Sequence, residues 1–150
     1  MPNPPPSLRQ RALALLARRE HSRLELQRKL KPHTEEDMEL DQLLDDFEQR
    51  GWLSDARFAE SWAHSRAARY GGARLKAELR TKGVAADAID AALDPLQGSE
   101  TERAREVWRR KFGTPPADAR ERARQLRFLA ARGFSMEAIY TVVGGDMDET

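Results

Sequence analysis

The stretch from Gly83 to Leu93 returns fifty residues later, in the same register, as Gly133 to Val143. Gly83 matches Gly133, apolar Val84 matches Phe134, and acidic Asp87 matches Glu137. Ala88 and Ile89 match Ala138 and Ile139, and Leu93 matches Val143. Upstream, Leu79 matches Leu129 and Lys82 matches Arg132. A cation, a glycine and an apolar residue also follow one another at Arg50, Gly51 and Trp52. Glycine after a helical run takes the left-handed conformation that other residues resist. The apolar residue beyond it folds back on the last turn. The chain therefore ends a helix by the same device three times. A recurring unit of about fifty residues marks a helical-repeat protein, whose units bury their faces on one another.

Apolar residues at helical spacing place nine helices. The first runs from Leu8 to Arg19. The second, about 22–31, opens with a capping box of Ser22 and Glu25 and stops at Pro32. The third, about 35–50, has the stripe Met38, Leu40, Leu43, Leu44 and Phe47. Helices at about 55–69, 73–82 and 86–94 follow, with Phe58, Leu79 and Ile89 among their anchors. A seventh is opened by Ser99 with Glu102 in the capping-box position, and the last two cover about 117–132 and 135–143. The expected architecture is all-α, an elongated array of three tandem three-helix repeats at 8–53, 54–97 and 98–143. A disordered proline-rich leader (1–7) and a disordered tail (144–150) flank it. Trp52, Trp62 and Trp108 fall at helix ends or on apolar stripes and are expected in the core.

Composition narrows the function classes. Formal net charge is +1, so no global excess points to nucleic acid or to a membrane surface. The chain has no cysteine, which removes disulfides and thiolate metal sites. No apolar run approaches the roughly 18 residues that span a bilayer, and residues 1–6 lack the apolar core of a signal peptide. A soluble cytoplasmic monomer is expected.

Charge is nevertheless segregated along the chain. Glu35, Glu36, Asp37, Glu39, Asp41, Asp45, Asp46 and Glu48 share one helix without a base among them. Bases dominate from Arg66 to Lys82 and again from Arg103 to Arg132. A solvated face with internal pairing accounts for part of this. The middle and third repeats hold too many bases for full internal pairing, so a basic surface for an acidic protein or a polyanion is expected there. Its candidate partner-binding residues are Arg66, Arg69, Arg74, Lys76, Arg80, Lys82, Arg109, Arg110, Lys111, Arg124 and Arg127.

Nothing in the chain composes a catalytic, cofactor or metal site. His21, His33 and His64 are not spaced as metal ligands, and no phosphate-binding loop, dinucleotide fingerprint or nucleophile elbow occurs. Gly71 and Gly72 could present amides to a phosphate at a helix start, but a simple helix break explains them as well. A non-enzymatic protein without cofactors is expected.

Several segments resemble the RecX family of bacterial recombinase regulators. Ser22-Arg23-Leu24-Glu25-Leu26 with Lys29-Leu30 is similar to its first repeat. Gly51-Trp52-Leu53-Ser54-Asp55-Ala56-Arg57-Phe58-Ala59 resembles its most characteristic joint. Tyr70-Gly71-Gly72-Ala73-Arg74-Leu75, with Glu78-Leu79 and Gly83-Val84, resembles the second repeat, and Arg127-Phe128-Leu129 with Arg132-Gly133-Phe134-Ser135 the third. The resemblance implies tandem three-helix repeats. It also implies binding to the RecA recombinase, free or as a nucleoprotein filament on single-stranded DNA, with inhibition of strand exchange, ATPase and co-protease activity. DNA repair and the SOS response would be modulated, and direct DNA contact would be weak. It supplies no catalytic residues. A helix-turn-helix module that binds DNA directly is the alternative for short helices joined at glycine turns, and an adaptor for an unrelated protein is a third reading.

Overall fold

The computed structural model describes residues 2–144. Nine α-helices occur among them: α1 (Leu8–Arg18), α2 (Arg23–Leu30), α3 (Asp37–Gln49), α4 (Asp55–Arg66), α5 (Gly72–Thr81), α6 (Ala86–Leu93), α7 (Glu100–Lys111), α8 (Ala119–Ala131) and α9 (Met136–Val143). Short 3-10 turns at Lys31–His33 and Asp94–Ser99 lead into α3 and α7. No strand is present among the described residues. The expected disordered tail lies, apart from Gly144, outside them.

The apolar positions gather into three cores rather than one. The first holds Ala12, Leu26, Leu30, Leu40, Leu44, Phe47 and Leu53. The second holds Phe58, Ala59, Leu79, Val84, Ile89 and Ala92. The third holds Ala104, Val107, Leu129, Phe134, Ala138, Ile139 and Val143. The sequence matches recur inside the second and third cores: Leu79 with Leu129, Val84 with Phe134, Ile89 with Ile139. Each core is small, so the joints between units matter as much as the cores.

The three glycine stops share one geometry. Gly51, Gly83 and Gly133 have φ of 77°, 82° and 89°. The amide after each donates to a carbonyl five residues back: Trp52 to Phe47, Val84 to Leu79 and Phe134 to Leu129. This is the bonding of a Schellman stop. Their places in the unit differ, however. Gly51 ends α3, the third helix of its unit, whereas Gly83 and Gly133 end α5 and α8, the second helices. A side chain at Gly51 would meet nothing within 4 Å. A Cβ at Gly83 would sit 2.8 Å from Leu24 Cβ, and one at Gly133 2.5 Å from the Arg74 amide nitrogen.

Those close approaches are the joints. The second helix of each later unit ends against the start of the second helix before it. The carbonyl of Lys82 accepts from the hydroxyl of Ser22, the N-cap of α2, at 2.7 Å. The carbonyl of Arg132 accepts from the amide of Gly71, the N-cap of α5, at 2.8 Å. The first acid of the following unit closes each joint. Asp55 accepts from the Arg23 amide (2.8 Å), and Glu100 accepts from the Gly72 amide (2.9 Å). Orphan helix-start donors of one unit thus meet orphan helix-end carbonyls and a carboxylate of the next. The α2 helix ends in a 3-10 turn with Pro32 instead of a glycine.

Arg103 supports the second joint from below. Its side chain is 13% exposed, and the guanidinium donates to the carbonyls of Ala67 (2.7 Å), Tyr70 (2.8 Å) and Leu96 (3.2 Å). One planar fork reaches three carbonyls at once, the Leu96 carbonyl sharing it with the Ser99 hydroxyl. Arg103→Lys keeps the charge but lacks the fork. We expect it to lower stability by about 2 kcal/mol, read as a shift of the urea midpoint at unchanged slope.

Three local expectations are corrected, and one open alternative is closed. Met38 is 71% exposed and leaves the α3 stripe, because α3 turns it away from Leu40 and Leu44. Trp52 is 42% exposed, lying edge-on against Phe47 under Arg9 and Arg50 rather than inside the core. Ser99 does not cap α7; its hydroxyl donates to Leu96 and accepts from Arg103. The amides of Gly71 and Gly72 are taken by Arg132 and Glu100, which leaves no phosphate cradle.

Candidate functional site

Aromatic rings and cations alternate along the second and third units. Trp62 on α4 lies 5.1 Å from the Lys82 ammonium and 5.0 Å from the Arg66 guanidinium. Arg66 also lies over Tyr70 at 4.5 Å, joined there by Arg74 (4.2 Å), Arg132 (5.2 Å) and Arg69 (5.5 Å). Arg132 reaches on to Phe128 at 5.0 Å, where Lys111 stands at 5.3 Å. Phe128 meets Phe112 edge-to-face at 5.4 Å, and Arg124 closes the row 5.2 Å from Phe112. The ring faces hold the cations by their quadrupoles. Four guanidiniums around one tyrosine would repel one another in bare solvent; the ring and Glu78 offset this.

Glu78 is the acid inside the strip. It accepts from Arg66 at 2.8 and 2.6 Å, from the Trp62 indole at 2.9 Å and from Arg74 at 3.3 Å. Burial alone would raise its pKa; the Arg66, Trp62 and Arg74 hydrogen bonds overcome burial and hold it below the ordinary carboxylate range. Lys82 is tied to Glu25 at 3.0 Å, and Arg124 to Glu121 at 3.1 Å. Arg69, Lys111 and Arg132 have no carboxylate partner among the described residues. These three carry the uncompensated charge.

The expected partner-binding set is thus divided. Arg66, Arg69, Arg74, Lys82, Lys111 and Arg124 fall on the strip. Lys76 does not: it lines a separate cleft with Asp90, Asp94 and Glu100. Arg80, one turn further along α5, lies on that same side. Arg109 and Arg110 both pair with Glu106 on their own helix. Arg127 is exposed and touches no ring. Sequence reasoning missed Tyr70, Phe112, Phe128 and Arg132. The match of Lys82 with Arg132 was the available signal, since both cations precede a joint glycine and both turn towards an aromatic ring.

The acidic α3 is partly consumed inside its own unit. Arg23 holds Asp45 (2.7 Å) and Glu48 (2.5 Å), and Asp46 holds Arg9 (3.2 Å) and Arg50 (3.0 Å). His21 is buried, bonded to the Arg19 carbonyl and to Lys29, and burial lowers its pKa. No group of three His, Asp or Glu side chains that could hold a metal occurs among the described residues. No helix of the described residues is long and apolar enough to cross a membrane.

The family model for RecX, second three-helix domain, matches residues 54–93, and that for RecX, third three-helix domain, matches 99–143. A regulatory protein RecX from Leptothrix cholodnii is 56% identical over 91% of this chain and 87% of its own length. The chain belongs to the RecX family. A RecX from Neisseria meningitidis is 41% identical over 97% of this chain and 95% of its own length. The crystal structure of RecX from Lactobacillus salivarius superposes with a TM-score of 0.78 at 17% identity, covering 91% of this chain and 92% of that one. That likeness carries the fold: a RecX helical-repeat architecture persists where few side chains are shared. The matched boundaries at 54 and 99 fall beside the joint acids Asp55 and Glu100, which RecX repeats here use to lock onto the unit before.

Proposed function

We propose that this chain binds the RecA recombinase, free or as a filament on single-stranded DNA, and inhibits its strand exchange, ATPase and co-protease activities. DNA repair and the SOS response are modulated in consequence. The observation that carries the reading is the cationic strip running unbroken across the joint of the second and third units, in a chain of a regulatory family. A rigid array presents such a strip along its length, so it can lie in a filament groove and touch more than one subunit. Occupying that groove excludes incoming duplex and hinders filament growth. The protein acts by obstruction and performs no chemistry of its own.

Arg69, Lys111 and Arg124 are the residues to reverse, because each is exposed and none builds a joint. The triple variant Arg69→Glu, Lys111→Glu, Arg124→Glu should need on the order of 100-fold more protein for half-inhibition of DNA-dependent ATP hydrolysis. Its melting temperature should stay within a few degrees of the parent. Lys76→Glu with Arg80→Glu, off the strip, should inhibit like the parent. Undiminished inhibition by the triple variant removes the strip from the interface.

Direct DNA binding is the second reading, favoured by the alternation of rings and cations. The rings are half-buried and guanidiniums already stand over them, which leaves little free face for bases. DNA contact is therefore with phosphates and weak, and it should weaken steeply as salt rises.

A further inference from the structure

A second surface lies on the first unit. Between α1 and α2 runs a cleft of about 710 Å³. Its floor is aliphatic, made by Ala14, Leu15 and Leu30, with Pro6 as one wall. Its rim carries Arg11, Arg18, Lys29 and His33, and no carboxylate lines it.

Away from the rim most basic side chains of the unit are paired, Arg28 and Lys31 being the exceptions among the described residues. Arg9, Arg19, Arg23 and Arg50 each hold a carboxylate at 3.2 Å or closer. Arg11 and Arg18 hold none among the described residues, and the only polar partner of Lys29 is the imidazole of His21 at 3.0 Å. The same unit has acids in excess on α3, yet none is placed to neutralise this rim. The rim cations are thus left to solvent beside an apolar floor, available to pair with an anion.

We infer that the α1–α2 cleft is a docking groove for an acidic segment of a partner protein carrying one or two large apolar side chains. The aliphatic floor takes the apolar residues, and the rim pairs with carboxylates on either side. Helical segments with apolar residues one turn apart bind grooves of this kind. The rim would attract any anion; the floor selects a protein over a nucleic acid, because it is aliphatic and has no Phe, Tyr or Trp on which a base could stack. The inference does not rest on the recombinase reading, since the groove and the strip share no residue.

The test uses the full chain, isotope-labelled, and a fluorescent peptide of about 12 residues with Leu and Phe one turn apart among Asp and Glu. Binding with a dissociation constant on the order of 10–100 µM is expected, with amide shifts confined to residues around Ala14, Arg18 and Leu30. Arg11→Glu with Arg18→Glu should weaken it at least about tenfold, as should a peptide in which Ser replaces Leu and Phe. Ala14→Glu, a solvent-facing change that a helix tolerates, should do the same and serves if the double variant does not fold. The strip variant Arg69→Glu with Lys111→Glu should bind the peptide like the parent, so loss of inhibition and loss of peptide binding are separable. No binding up to about 1 mM, equal binding of the Ser peptide, displacement of the peptide by oligothymidylate, or shifts that vanish on dilution of the protein as self-association would, each overturns the inference.

Discussion

Gly133→Ala should separate the third unit from the second, while Gly51→Ala should be nearly harmless by comparison. Both glycines have positive φ and the same stop bonding, so the backbone cost of alanine is common to them, about 1 kcal/mol. Only the surroundings differ. At Gly51 the new methyl enters open space. At Gly133 it would sit 2.5 Å from the Arg74 amide nitrogen and 2.9 Å from Arg74 Cα, main-chain atoms fixed within α5. The joint has no flexible group to move aside, so it must open. Opening it also strands Arg132 O, Gly71 N and the carboxylate of Glu100, which bridges the Gly72 and Ser135 amides at 2.9 Å each. We expect a loss of about 3–5 kcal/mol, with the third unit melting before the others. Hydrogen exchange read unit by unit checks this. Equal losses at Gly51 and Gly133 would show that the close approach is not what the glycine is for. Gly71→Ala probes the same contact from the other side. Its φ is an ordinary −86°, but its Cβ would lie 2.4 Å from the Gly133 carbonyl oxygen.

Glu25 should be the acid whose loss most damages the first joint. It is 7% exposed and fully engaged. Arg19 donates to both its oxygens at 3.0 Å, Lys82 of the next unit donates at 3.0 Å, and the Ser22 amide at 3.1 Å. Burial alone would raise its pKa. The Arg19 and Lys82 hydrogen bonds, with the Ser22 amide, reverse that and hold it at about 2, against an ordinary 4.5. Glu25→Ala leaves Arg19 and Lys82, 43% and 31% exposed, to be solvated by water, but strands the buried Ser22 amide at the start of α2, and should cost about 2–3 kcal/mol. The pH dependence follows from the depressed pKa. Above about pH 4.5 the carboxylate is charged in both folded and unfolded chains and its contribution is whole. As pH falls from there towards 2, the unfolded chain takes up the proton first and the contribution is lost. Glu25→Gln has no such proton to take up. It should be less stable than the parent at pH 7, and the difference should shrink as pH drops through this window. Parallel stability curves for parent and Glu25→Gln between pH 5 and 2.5 would contradict the assignment.

Three local devices could be read before any coordinates. Gly51, Gly83 and Gly133 had to stop helices, because the residue type and the apolar neighbour leave few other conformations. Ser22 with Glu25 had to open one, and the structure contains both halves of that capping box. The in-register pairs Leu79 with Leu129 and Ile89 with Ile139 had to face equivalent cores, since helical period fixes which side is buried. Each of these depends on residues within a few turns of one another.

What sequence could not decide is whatever depends on residues far apart meeting. Lys82 and Arg132 occupy equivalent positions, yet Lys82 binds Glu25 and Arg132 stacks over Tyr70 and Phe128. Lys76 and Arg80 looked equivalent to Arg74 and Lys82 as charges, but a helix turns about 100° per residue and sent them to another side. Which cation is spent on a joint and which remains unpaired is set by the carboxylate that happens to stand opposite, and only the packing of one unit on the next brings it there. Charge pattern alone therefore determined that the later units carry a basic surface, while tertiary contacts selected Arg69, Lys111 and Arg132 from it.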